Sequence, residues 1–182
     1  MKIMKFGGTS VGKPERMQQV MELVTKSDEP VITVLSALSG TTNALVSIGD
    51  AMAEGNRQLA KENIDKLEAH YHSFIKDLLK KEATLAKAKN IVSEHFEFLN
   101  IILKISFSEA LSKDILAQGE LLSTKLFSTF LEENNIDHVL LPALEFMSID
   151  ADDEPQVPSI KSKITALLAW RWLDKPMGKL MN

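Results

Sequence analysis

Lys5-Phe6-Gly7-Gly8-Thr9-Ser10-Val11-Gly12 joins a short apolar run over residues 2–6 to a segment with helical periodicity, and the fold follows from how that junction is read. A lysine at a strand end precedes two residues whose missing side chains let backbone amides approach an anion, and phosphate is the natural guest. Thr9 and Ser10 add hydroxyl donors. A helix after the loop would turn its free N–H groups and partial positive charge towards the same place. The plain alternative is a glycine turn whose lysine faces solvent. A second pattern overlaps the first: Gly7, Gly12 and Lys13 have the spacing of G-x-x-x-x-G-K, but Pro14 stands where that loop needs a Ser or Thr hydroxyl for magnesium. Lys13 would be the phosphate lysine there, against Lys5 in the preferred reading.

Downstream, Pro14 suits a first helical turn, and Met17, Val20, Met21 and Val24 recur at helical spacing, which predicts a helix over about 14–26. After Pro30 comes Val31-Ile32-Thr33-Val34-Leu35, a β-branched run typical of a strand buried on both faces. A β-α-β unit is therefore complete by residue 35. The loop Ser36-Ala37-Leu38-Ser39-Gly40-Thr41-Thr42-Asn43 is rich in small and hydroxyl residues and feeds a helix over about 42–54, ending near Gly55. Residues 56–107 hold no Gly or Pro and read as two long paired helices, with Ile64, Leu67, Tyr71, Phe74, Ile75 and Leu78 on one stripe. A further helix is expected over about 109–133, strands over about 137–141 and 145–149, and a last helix over about 158–172. The acidic stretch Asp150 to Glu154 reads as a solvated loop. This alternation predicts an α/β fold with an open, mostly parallel sheet and a long helical excursion; ligands then sit at the C-terminal strand ends, where both loops lie.

At 182 residues a single domain is the expectation, and 45% hydrophobic with 25% charged residues is a globular rather than a disordered composition. A net charge of -4 with scattered Lys and Arg offers no basic field, so nucleic acid is not an expected partner. The absence of cysteine removes disulfides, thiolate zinc sites and thiol nucleophiles together, and is compatible with a reducing cytoplasm. Charge interrupts the N-terminal apolar run and no stretch of about 18 apolar residues occurs, so neither a signal peptide nor a membrane span is expected. His70 and His72 fall on different helix sides, and His95 and His138 lack acidic or histidine partners at ligand spacing; no metal site is expected.

The run at 5–12 is similar to the opening signature of aspartate kinases, in the amino acid kinase family. Residues 34–43 resemble that family's second loop, and Gln118-Gly119-Glu120-Leu121-Leu122-Ser123-Thr124 resembles its Gly-Glu-Leu-hydrophobic-Ser helix. The likeness covers about 1–167, and the long helical pair also resembles these enzymes rather than their shorter relatives. It implies the three-layer αβα, carbamate kinase-like fold. Residues 1–168 would be the N-terminal half of the catalytic domain, and 169–182 a tail that does not match. The implied reaction is transfer of the ATP γ-phosphoryl group to the side-chain carboxylate of L-aspartate, opening the route to lysine, threonine and methionine, with ATP supplied as its Mg2+ complex. Since the nucleophile is already an anion, catalysis would rest on positioning and charge neutralisation.

The resemblance assigns Lys5 to the transferring phosphoryl group, Phe6, Gly7, Gly8, Thr9 and Ser10 to the phosphates, and Ser36, Thr42 and Glu120 to aspartate. A carboxylate suits the substrate's α-ammonium, and hydroxyls suit its carboxylates. Taken alone, Glu120 would be a surface helix glutamate. Thr42 would also serve as a helix N-cap. The family's later Gly-Gly-Ser-Asp segment, its substrate arginine and its adenine-holding strands do not occur in this sequence, and Arg171, between Trp170 and Trp172, matches none of them. The expectation is a shortened or frame-shifted form, inactive alone and self-associating. Two other readings stay open: a non-catalytic binding or assembly module that keeps the phosphate loop, and another small-molecule kinase of the family.

Overall fold

Strand β1 (Lys2–Phe6) pairs in parallel with β2 (Val31–Leu35), in a register running from Lys2 opposite Val31 to Phe6 opposite Leu35. The computed structural model describes residues 1–173, with side chains described as far as residue 169. The crossover between the strands is α1 (Gly8–Val11), a single turn, followed by α2 (Pro14–Thr25), which starts on the expected proline. Val11, Met17 and Val20 are buried beneath it. Alternate residues of a strand face opposite ways, which puts Ile3 and Lys5 on one side of the ribbon with Ile32 and Val34. Ile3 and Val34 are exposed there, whereas Leu35 is buried.

The second loop leads into α3 (Thr41–Ala53), and here one expectation is corrected. The N-cap is Gly40, at φ +84° where a side chain would be strained. Thr42 lies inside the first turn and is not the cap. Helix α4 (Arg57–Leu78) begins at Asn56, whose side chain accepts from the Leu59 amide at 3.1 Å. Helix α5 (Glu82–Ile102) follows after residues 79–81, and α6 (Glu109–Glu133) begins at Ser108, whose hydroxyl accepts from Leu111 N. The stripe Ile64, Leu67, Tyr71, Phe74, Ile75 and Leu78 is buried, and meets Leu45 and Ile48 of α3, Phe96 and Leu99 of α5, and Ile115 and Leu122 of α6 in one core. Each such side chain contributes roughly 1.5–3 kcal/mol on burial, so this helical cluster, and not the small sheet, carries most of the hydrophobic stabilisation.

The chain divides into two compact units, residues 1–138 and 139–182. In the second, the expected strands over 137–141 and 145–149 do not form. Pro142 caps a short helix, α7 (Ala143–Phe146), which closes with Met147 N donating to the Ala143 carbonyl at 2.8 Å. Extended residues become strand only when a neighbour supplies the ladder, and all that forms is one antiparallel bridge between Ile149 and Pro155. Between them Asp150 Oδ1 accepts from the Asp152 and Glu154 amides, so the acidic stretch is a turn. Helix α8 (Val157–Leu173) matches the expected last helix to within a residue at each end. The sheet among the described residues is thus two parallel strands, smaller than expected, in an α/β fold dominated by helix. Of the expected tail, residues 169–173 continue α8 and the rest lies outside the described residues, as do the side chains of Trp170, Arg171 and Trp172.

Candidate active site

Lys5 stands exposed in register with Val34, one residue before the end of β1. The Phe6 carbonyl accepts from Ser36 N at 3.0 Å, so the two loops leave the sheet side by side. Gly7 caps α1, Ser10 N donates to the Gly7 carbonyl at 2.9 Å, and the first-turn amides of Gly8 and Thr9 have no carbonyl four residues back within the helix. Thr9 is exposed and its carbonyl accepts from Arg16 Nη1 at 3.0 Å, a brace that no pattern in the sequence singled out. Lys13 sits in extended backbone just before Pro14, beyond the turn that coils residues 8–11.

Ala37 connects the loops to α6. A Cβ on Gly8 would lie 2.8 Å from the Ala37 carbonyl oxygen, so only glycine lets the first loop come so close. On its other side the Ala37 amide donates to Glu120 Oε1 at 3.3 Å. Ser36 is half-buried, and its carbonyl accepts from Ser123 Oγ at 2.8 Å. Gly119 is seated against the same loop: a Cβ there would be 2.7 Å from Ala37 Cβ and 3.2 Å from Thr41 Cγ2. Glu120 and Thr42, each one residue beyond a buried neighbour, are both exposed. Gly8, Ser36 and Glu120 therefore meet around one alanine, and Thr42 follows directly on the residue that touches Gly119.

Two buried polar groups behind this surface were not anticipated. Tyr71 of α4 is fully buried with its hydroxyl 3.0 Å from Thr41 Oγ1. Burial pushes the phenol well above its ordinary pKa; the Thr41 bond opposes this and the Glu120 charge adds to it. His95 of α5 is 2.6 Å from Gln118 Oε1 through Nδ1 and 2.9 Å from Lys125 Nζ through Nε2. Lys125 can only donate, so Nε2 accepts and Nδ1 carries the proton to Gln118. Burial lowers the His95 pKa, the Gln118 bond opposes it, and the Lys125 charge lowers it further. Tyr71 falls on a helical stripe that reads simply as core, and His95 has no ligand partner at local spacing, which is why their polar ends carried no signal. Among the described residues no cluster of three or more His, Asp or Glu is placed to hold a metal ion.

The model of the Amino acid kinase family matches residues 1–173, and the chain belongs to that family. Within it the chain corresponds to the N-terminal part of an aspartokinase. It is 38% identical over 161 residues to Aspartokinase 2, chloroplastic, of Arabidopsis thaliana, which spans 83% of this chain and 28% of that protein. It is 30% identical over 141 residues to lysine-sensitive aspartokinase 3 of Escherichia coli K12, spanning 74% of this chain and 29% of that protein. The solved structure of E. coli aspartokinase III in complex with aspartate and ADP (R-state) shares the fold, with a TM-score of 0.77 at 23% identity over 94% of this chain and 38% of that one. The chain thus spans under a third of the length of these two sequence relatives.

Proposed function

We propose that this chain carries the phosphate-binding and acceptor-binding parts of an aspartate kinase, which moves the γ-phosphoryl group of ATP onto the side-chain carboxylate of L-aspartate. The observation that carries the reading is the double contact of Ala37, against Gly8 on one side and hydrogen-bonded to Glu120 on the other, which brings the two ligand regions within one residue of each other. The E. coli relative solved with aspartate and ADP has the same fold, which supports the choice of ligands.

A carboxylate oxygen of aspartate forms the new bond to phosphorus, the bond to the bridging oxygen of ADP breaks, and no proton has to move. The obstacle is repulsion between two anions, so a fixed cation and aligned amides do the catalytic work. Lys5 neutralises the transferring group, and Gly7, Gly8, Thr9 and Ser10 hold phosphate oxygens beside Phe6. Glu120 takes the α-ammonium of aspartate, while Thr42 and Ser36 serve its carboxylates. ATP enters as its magnesium complex, a substrate and not a resident cofactor.

Calorimetric titration of the chain with L-aspartate, and separately with MgATP, tests this. Glu120→Gln keeps an oxygen for the Ala37 amide but removes the charge facing the ammonium, and is expected to weaken aspartate at least ten-fold, roughly the value of one charged hydrogen bond. Lys5→Ala is expected to weaken the nucleotide more than Lys13→Ala; the reverse order reinstates Lys13 as the phosphate lysine. Binding of neither ligand by the unaltered chain would leave the non-catalytic module as the better reading.

A further inference from the structure

We infer that Tyr71, which belongs to the helical excursion and to neither ligand loop, is a positioning residue for the aspartate pocket: by holding Thr41 it sets where Thr42 stands relative to Glu120. The inference rests on the reading of that pocket given above.

The case is one of adjacency. Thr42 and Glu120 are exposed, and each is the sequence neighbour of a residue that is nearly inaccessible, Thr41 and Gly119. The two buried neighbours touch, since Thr41 Cγ2 occupies the space a Gly119 side chain would need. Thr41 therefore faces two ways, its methyl on α6 and its hydroxyl on Tyr71 Oη. A threonine can exchange these two groups by a rotation about χ1. What holds the hydroxyl in its present direction is the phenol. Tyr71 is itself held: its ring lies 5.8 Å from that of Phe96 on α5, and no part of it reaches solvent. A phenylalanine would fill the same space without burying a polar atom, so the hydroxyl has a use beyond packing. Without it, the Thr41 hydroxyl is unpaired in the core and turns inward, its methyl leaves Gly119, and the first turn of α3 shifts against α6. Thr42 and Glu120 lose their mutual setting while the glycine loop is untouched.

The test is titration of the full chain and its variants with L-aspartate and with MgATP. Tyr71→Phe and Thr41→Val are each expected to weaken aspartate about ten-fold, the scale of one buried hydrogen bond. The double variant should be no weaker than either, and MgATP affinity should not change. Tyr71→Phe binding aspartate as tightly as the unaltered chain overturns the inference, as does an equal loss of both ligands. Should the unaltered chain fail to bind aspartate, or Glu120→Gln bind it normally, the pocket reading falls, and amide exchange then decides the mechanical claim. Faster exchange at Thr41 and Ala44, whose amides donate to the Leu38 and Gly40 carbonyls, in Tyr71→Phe with the global melt unchanged supports control of the first turn of α3 by the phenol; unchanged exchange overturns it.

Discussion

Gly119 shows how one missing methyl shapes the site. It lies inside α6, where alanine would be favoured by about 1 kcal/mol on helix propensity alone. Yet a Cβ there would stand 2.7 Å from Ala37 Cβ, a methyl with no freedom to rotate away. Overpacking of this type costs about 1–3 kcal/mol, so Gly119→Ala is expected to lower stability, seen as a fall in the urea midpoint at unchanged slope. A midpoint that rises would mean that loop and helix separate easily and that the close seat is not real. The motif around Glu120 was legible in the sequence because its residues are contiguous. Its reason was not, because Ala37 and Thr41 lie far away along the chain and only the fold brings them under the glycine. Arg16, Tyr71 and His95 were missed on the same ground, since each acts through a partner that no local pattern announces.

At the scale of elements, the start of α5 depends on a residue from the end of another helix. Its N-cap is Lys81, which offers no capping side chain. The buried carboxylate of Glu133 takes that role from α6, accepting from Lys80 N at 2.9 Å, from Lys81 N at 3.0 Å and from the Thr84 hydroxyl. Burial by itself raises the carboxyl's pKa, but the Thr84 hydroxyl, the two amides and the Lys81 charge outweigh it and hold the group below its ordinary value. A depressed folded-state pKa gives stability that is present above the unfolded value of 4.5 and is lost as pH falls through the folded one. Glu133→Gln is therefore expected to cost about 1–3 kcal/mol near neutrality, with the gap to the unaltered chain closing below about pH 4.5. Urea melts across that range decide it, and a gap that stays constant down to pH 3 would exclude the capping role. Long helices such as α4 and α6 were legible because their apolar stripes recur over several turns. The strands expected over 137–141 and 145–149 failed because four or five apolar residues suit a strand, a turn or a bridge equally until a partner is present.

At the scale of the molecule, the two-stranded ribbon presents Ile3, 70% exposed, and Val34, 44% exposed, on one face. Apolar side chains on an unpaired parallel ribbon favour association with another chain, and self-association is the expected outcome. Sedimentation velocity should show a mass that rises with concentration and returns to the monomer in Ile3→Lys/Val34→Lys; a monomer at every concentration would count against it. The order of elements through α6 was legible from periodicity and glycine placement, whereas the extent of the sheet was not, because strand number depends on pairing across distance. The contact of Gly8 with Ala37, and of Ala37 with the Gly119 seat, has one more consequence. A methyl group at Gly8 or Gly119 would have to displace Ala37, so the seam between the two loops and α6 holds no room for a ligand. The space open to a ligand lies outside that seam, along the solvent rim where Thr9, Ser39 and Thr42 are exposed.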